Sequence, residues 1–370
     1  ASQFAQALAT ATGTTVISDY NDGNTPLGTF TRWSLFQRFN GNRASSSTNY
    51  LADIFDDKGF PRQSLARSRI VQNCTASRVL FNIINSRGAV PQAYAVEAIH
   101  NGQTKIFNAR HEVILCAGIH SNELLQRSGV GPASLLNSLG IPVVVANDNV
   151  GAHHRNHLIS VATFAAPNGN GVPAADLNAL YVGGGFTPAP NGDPTKRGFQ
   201  WIGLNPQPNV LVVVFYNLNP QSKGTDRIQD KDPLRVSDVS EKIFSQSADL
   251  AAIVDAYRTY VTALNVQLKA LDASYDLIEP SLATIADDDL LEQYIKSTLE
   301  HTHHFQGTNR MLPKEDGGVV DTQGQVYGTL RLRVADISTS PIPVDGNTAG
   351  PAYLVGYKIA QSIKTKFCRQ

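Results

Sequence analysis

The chain has 370 residues, 31 basic against 31 acidic, and so no net charge. That length allows about two domains with proper cores, and the balanced charge gives no electrostatic reason to expect nucleic acid or a membrane surface as partner. With 42% hydrophobic residues, 29 Gly and 19 Pro, the composition is that of a loop-rich globular protein, and no apolar run nears the ~20 residues of a membrane span.

Ala and Leu gather on one side of Gln3–Thr12, which predicts a helix. Turn-rich text follows at Asp19–Gly28 and Gly41–Ser47, ahead of a short apolar helix start at Tyr50-Leu51. From Ser68 the pattern is strand-like. Arg69–Gln72, Arg78–Ile84 and Ala93–Ile99 read as a meander, and Lys105–Ala109 leads on to Val113–Cys116. That apolar strand meets Ala117-Gly118. A helix carrying Leu124 and Leu125 follows, then a stop at Ser128–Pro132, a second helix with Leu135, Leu136 and Leu139, and a strand Ile141–Ala146. This is a strand-helix-helix-strand unit of an α/β domain.

Residues 151–300 read as a second domain. Leu158–Ala166, Tyr181-Val182, Phe199–Ile202 and Val210–Tyr216 are strands with Pro/Gly-rich separators, as in an antiparallel sheet, with Gly183–Gly185 as a turn. Asn219–Ser240 is a polar excursion. Leu250, Ile253, Tyr257, Val261, Leu264 and Leu268 then fall at helical spacing within Glu241–Leu271, a core stripe. A further helix opens on the carboxylates Asp287–Asp289, which suit the positive end of its dipole. The last starts near Pro351, a residue favoured in a first turn.

Between these last two helices lies His301-Thr-His303-His304-Phe305-Gln-Gly307-Thr308. Imidazole takes and returns a proton near neutrality, so this is the candidate catalytic stretch. Clustered histidines are often mere surface groups. Zinc is disfavoured because the cluster has no Cys or carboxylate at ligand spacing. The loop Asp345–Pro351, with Asn347, is its natural partner. Cys74, Cys116 and Cys368 allow at most one disulfide, and Asn73-Cys74-Thr75 is a formal glycosylation acceptor that leans towards secretion.

Gly118-Ile-His-Ser121-Asn-Glu-Leu124-Leu125-Gln-Arg-Ser128-Gly129-Val130-Gly131 resembles the second signature of the glucose-methanol-choline (GMC) flavoprotein oxidoreductases, with Asn122 in place of the usual proline. Gly41-x-Arg43 with Ser45, Ser46 and Tyr50-Leu51 is similar to another family stretch. Val150-Gly151 with His157 is similar to "V-G-x-N-L-x-D-H", His153 and Asn156 replacing Asn and Asp. His304-Phe-Gln-Gly307-Thr308 resembles the catalytic "H-x-x-G-T", and Val334-Ala-Asp336-Ile337-Ser338 the closing "V-V-D-A-S".

The resemblance, to the cellobiose dehydrogenase/aryl-alcohol oxidase-like branch of the family, implies an α/β (α+β) fold. Residues 1–150 would be the remainder of an FAD-binding domain, 151–300 an antiparallel-sheet substrate domain, and 301–370 active-site strands with a helix returning to the FAD domain. It implies oxidation of an alcohol, a small-molecule substrate, with His304 as base and Asn347 as second hydrogen-bonding group. His303 and Phe305 would shape the pocket. Ala76, Ala117, Gly118, Asp336, Ile337 and Thr348 would lie against FAD. The Gly-rich turn with which the family opens has one formal match, Gly169–Ala174, which Pro173 makes a substrate-domain loop instead. Two expectations follow: a separate N-terminal polypeptide supplies the front of the flavin domain, or the old alcohol pocket serves a lyase, isomerase or cyclase without flavin redox. A non-catalytic subunit is a third possibility.

Overall fold

The structure, a computed structural model, describes residues 2–31, 43–56, 62, 68–82, 89–167 and 180–368. The Gly41 end of the Arg43 motif, the Ile83-Ile84 end of the second predicted strand and the Gly169–Ala174 loop lie outside the described residues.

Alternation along Val210–Asn217 (β12) turns Leu211, Val213 and Phe215 to one face and Tyr216 to the other. The neighbouring strands, β9 (Leu158–Ala165), β10 (Tyr181–Thr187) and β11 (Phe199–Gln207), alternate in step with it. With β1 (Gly28–Phe30), β15 (Asp276–Glu279) and β16 (Glu300–His301) they form a seven-stranded sheet, antiparallel at every pairing. One face holds the main core. Phe164, Phe199, Trp201 and Phe215 are buried there, Trp201 stacking on Phe215 with ring centroids 4.5 Å apart. Each side chain of that size buried contributes on the order of 1.5–3 kcal/mol.

That face is covered by helices Ser247–Ala256 (α4) and Thr262–Leu271 (α5), which run into each other through a π turn at Tyr257–Val261. The predicted stripe is the face that packs: Ile253, Tyr257, Val261, Leu264 and Leu268 are buried. The Tyr257 hydroxyl donates to Val161 O at 2.7 Å, fastening helix to strand. The helix starts at Ser247 rather than Glu241. Lys242 and Phe244 take positive φ, which a helix does not permit, and the Glu241 carboxylate is drawn inward by hydrogen bonds.

Other expectations change as well. Gly183–Gly185 is not a turn but part of β10. A Cβ on Gly185 would come within 3.0 Å of Thr29 and 3.3 Å of Leu8, so the glycine lets the first helix, Ser2–Thr12 (α1), lie on the sheet. Phe4, Ala7 and Leu8 join the main core, so α1, like β1, packs with the antiparallel sheet. Arg69–Gln72 forms no strand. The polar excursion carries two short strands, Gly224–Arg227 (β13) and Asp238–Ser240 (β14), which extend Ala152–His154 (β8) into a three-stranded sheet. Strand Ile141–Ala146 shrinks to Val145–Ala146 (β7), paired in parallel with Val130–Gly131 (β6).

A second core lies under the meander Cys74–Asn82 (β2), Gln92–His100 (β3) and Gln103–Asn108 (β4). There Val113–Leu115 (β5) pairs in parallel with Leu332–Val334 (β17), and helices Ser121–Arg127 (α2) and Ala133–Ser138 (α3) follow as expected. Helix Leu282–Ala286 (α6) precedes the expected Asp288–Thr298 (α7), which Asp287 caps by accepting from Leu290 N. The last helix, Ala349–Phe367 (α8), buries only Ile359. No helix among the described residues is long and apolar enough to cross a membrane.

Candidate active site

The sheet face opposite the main core carries a row of directly paired residues: Phe186 opposite Gln200, Gln200 opposite Tyr216, and Tyr216 opposite Ile159. A polar side chain at Gln200, between Phe199 and Trp201 and fully buried, needs a partner. It finds Asn347.

His304 reaches this row because β16 pairs with β9, and the chain beyond runs antiparallel to Arg155–His157: Thr302 N donates to His157 O at 3.3 Å and Gln306 N to Arg155 O at 3.0 Å. Asn156 fixes the turn between. Its Oδ1 accepts from His304 N at 2.9 Å and from Thr302 Oγ1 at 3.1 Å, while its Nδ2 donates to Glu241 Oε1 at 3.2 Å. Asn156 is thus both acceptor and donor at this turn. Gly307 closes the turn at φ 85°, where a Cβ would stand 2.8 Å from His153 O. Val344 N donates to Gln306 Oε1 at 3.0 Å, which brings the loop bearing Asn347 alongside.

His304 Nε2 lies 3.2 Å from Asn347 Nδ2. His304 Nδ1 lies 3.0 Å from His157 Nδ1, and His157 Nε2 lies 3.2 Å from Leu218 O. A carbonyl only accepts, so His157 carries its proton on Nε2 and presents a lone pair at Nδ1. His304 must then be protonated at Nδ1 and have its lone pair at Nε2. That lone pair requires a donor, so Asn347 turns its NH2 to His304 and its oxygen to Gln200 Nε2, 3.0 Å away. The Leu218 carbonyl at Nε2 sets this polarity, and the backbone of Val344 is a second hydrogen-bond partner of His157.

Burial, and then the neighbouring His303, lower the His304 pKa to about 4. Burial, and then His304, lower that of His157 to about 4. Both imidazoles are therefore neutral near pH 7, as the chain of bonds requires. Tyr216 stacks on His157, and burial raises its phenol well above the usual range against a hydrogen bond with Asn347. Asn347 opens onto a cavity of about 240 Å³ that Tyr20, Phe186, Arg197 and Pro351 help to line.

The remaining expected residues divide. Ala117, Gly118 and Asp336 come together: Asp336 Oδ2 accepts from Gly118 N at 3.1 Å and from Ser121 Oγ at 2.6 Å. Ile337 opens the short turn after Asp336, and Thr348 stands between Asn347 and α8. Ala76 lies on β2 against the second core, outside that hydrogen-bonded group. His303 and Phe305 do not line the cavity. Their rings turn the other way from His304, towards each other at 5.7 Å, with His303 near His301 and Phe305 near His154. His303 itself takes the left-handed φ of 58°. Among the described residues no three His, Cys, Asp or Glu side chains are placed to hold a metal ion.

Gln200, Tyr216 and Leu218 were not singled out from sequence. A glutamine between two aromatic residues of an alternating strand was the available signal for the first. The other two carry none, since a tyrosine ending a valine-rich strand and a backbone carbonyl look ordinary.

Residues 8–159 and 220–356 match the N-terminal and C-terminal family models of the GMC oxidoreductases. The chain is 30% identical over 359 residues to an oxygen-dependent choline dehydrogenase of Pseudomonas savastanoi pv. phaseolicola, covering 88% of this chain and 60% of that protein. It is 30% identical over 346 residues to a 5-(hydroxymethyl)furfural oxidase of Methylovorus sp., covering 86% and 63%. The chain therefore spans less than two thirds of the length of these curated relatives. Among solved structures, an FAD-dependent oxidoreductase from Chaetomium thermophilum superposes with TM-score 0.83 at 22% identity, over 99% of this chain and 72% of that one. A formate oxidase of Aspergillus oryzae gives 0.82 at 21%, over 99% and 70%. These last two likenesses speak to the fold.

Proposed function

The chain belongs to the GMC oxidoreductase family, and from that premise we propose that it carries the alcohol-activating part of an FAD-dependent alcohol oxidase or dehydrogenase. The observation that supports this most is the His304–Asn347 pair, the lone pair of one facing the N–H of the other, with Asn347 lining the cavity and His304 buried directly behind it.

A substrate hydroxyl inserted between them would donate to His304 Nε2 and accept from Asn347 Nδ2. The hydroxyl proton passes to Nε2. His157 Nδ1, holding the opposite edge of the ring as an acceptor, offsets the charge that then appears on His304. Low intrinsic basicity is the cost of burial, and its benefit is that the base stays free of protons across the neutral range. Asn347 steadies the substrate oxygen without titrating.

Features of the chain fit a flavin. Helix α8 begins beside Asn347 with no side-chain cap and no acidic residue in its first turn, leaving its N–H groups for an electron-rich ligand. At the end of β5, Cys116 and Ala117 are exposed, and Gly118 has φ 59° with nothing within 4 Å of where a Cβ would sit. When bound, FAD supplies the hydride acceptor. Parallel strands are ordinarily covered on both faces, yet Ile114 on β5 and Leu354 and Tyr357 on α8 are exposed. The inference is that the phosphate-holding part of a flavin domain covers them, in the same polypeptide or a separate one.

The test is spectroscopic. With FAD and the rest of the flavin domain supplied, adding an alcohol without oxygen should bleach the flavin band. His304→Ala should stop the bleaching while FAD stays bound, and bleaching at the original rate in that variant would overturn the assignment.

A further inference from the structure

We infer that the cavity at Asn347 selects an alcohol that also carries a carboxylate, and that Arg197 is the residue that selects it. The inference rests on the His304–Asn347 reading and adds the substrate class to it.

Arg197 lies in the loop before β11 and lines the same cavity as Asn347. Its guanidinium lies over the Phe186 ring, 3.9 Å from the centroid. Nε donates to Pro26 O at 2.5 Å, Nη2 to Tyr20 O at 2.9 Å and Nη1 to Asp345 O at 3.4 Å. All three acceptors are backbone carbonyls, which orient the group but do not neutralise it. A guanidinium has five N–H donors, so two are left over, one on each terminal nitrogen.

Among the described residues no carboxylate lies within ion-pair distance of Arg197. Asp345 engages Arg197 through its backbone oxygen, and its exposed carboxylate, which also lines the cavity, acts on the guanidinium from beyond ion-pair distance. The site is therefore a half-buried cation held by three carbonyls, with one N–H to spare on each terminal nitrogen, beside the Phe186 ring. A carboxylate matches that fork in charge and in shape. A quaternary ammonium, the charged group of choline, would meet the like charge of Arg197. The selectivity of this chain should thus run opposite to the names of several of its relatives.

Titration calorimetry on the full chain at pH 8 tests this with 4-(hydroxymethyl)benzoate, its neutral isostere 4-(hydroxymethyl)benzamide, and choline. The carboxylate is expected to bind at least tenfold more tightly than the amide, the ratio shrinking with added salt, and choline should give no heat. Arg197→Gln should bring the ratio to about one, whereas Arg197→Lys should keep part of it. Equal or absent binding of the carboxylate by the unmodified chain overturns the inference, as does binding of choline, and neither outcome depends on a variant folding. The two readings fail separately. Loss of the anion preference with His304-dependent bleaching intact removes only the substrate class. A preserved preference with bleaching indifferent to His304 removes only the base.

Discussion

Gln200 donates from Nε2 to the side-chain oxygen of Asn347 at 3.0 Å, and this contact holds Asn347 in the orientation that the His304 lone pair requires. Leucine at 200 would fill similar space but release the amide to rotate. Losing one net hydrogen bond, about 0.5–1.5 kcal/mol, should slow alcohol-dependent flavin reduction up to about tenfold. Gln200→Glu should do more damage, because an acceptor there attracts the NH2 of Asn347 and turns its oxygen to the His304 lone pair. Stopped-flow reduction rates for the two variants decide the matter, and equal rates would show that orientation is not what Gln200 provides.

His157 is expected to set the tautomer of His304. In the unmodified chain, nitrogen-15 NMR should find His304 protonated at Nδ1 only. Replacing His157 by Phe keeps a ring beside Tyr216 but removes the acceptor of the Nδ1 proton. The His304 resonances should then report a mixture of tautomers, and kcat should fall further than KM rises. A single unchanged tautomer in His157→Phe would mean that something other than the Leu218–His157 link fixes the proton.

Acid should destabilise the fold in a defined window. Both His157 and His304 have folded-state values near 4, below the ordinary 6.5. Between those limits the unfolded chain binds more protons than the folded one, so stability rises with pH there and is lost as pH falls from about 6.5 towards 4. Above that window these two groups give no pH dependence. Urea midpoints at half-unit steps should show this slope, and His157→Phe should flatten it. A slope unchanged in that variant would assign the acid sensitivity to other groups.

How much of this was readable from the letters alone differs by level. The core stripe of the long helix was legible because Ile253, Tyr257, Val261, Leu264 and Leu268 repeat at helical spacing whatever the tertiary context. Its start was not, since Glu241 leaves the helix to bond His154 and Asn156, neighbours that only the fold supplies. His304 and Asn347 were legible through motif resemblance. The orientation of both depends on Gln200 and Leu218, which come from different strands, and no pattern in the linear sequence links them. Gly185 was misread as a turn because a glycine required by a helix lying on a sheet looks, locally, like one required by a reversal.

Glu112 and Arg333 form a buried pair whose removal should separate the charge effect from packing. Their side chains are 3% and 1% exposed, Nε to Oε2 is 2.7 Å and Nη2 to Oε1 is 3.2 Å, and Lys366 on α8 adds a bond to Oε1. Arg333 also donates to Gln323 O at 2.6 Å. Arg333→Met leaves a buried carboxylate with one half-exposed lysine as its partner, which should cost about 3–5 kcal/mol. Removing the carboxylate as well, in Glu112→Leu with Arg333→Met, takes away the unpaired charge and should recover most of that loss, leaving Gln323 O as the remaining deficit. Urea unfolding of the two variants provides the comparison. If the double variant is as unstable as the single one, the cost lies in the shape of the arginine, which packs the interior beside β5, and not in the charge it neutralises.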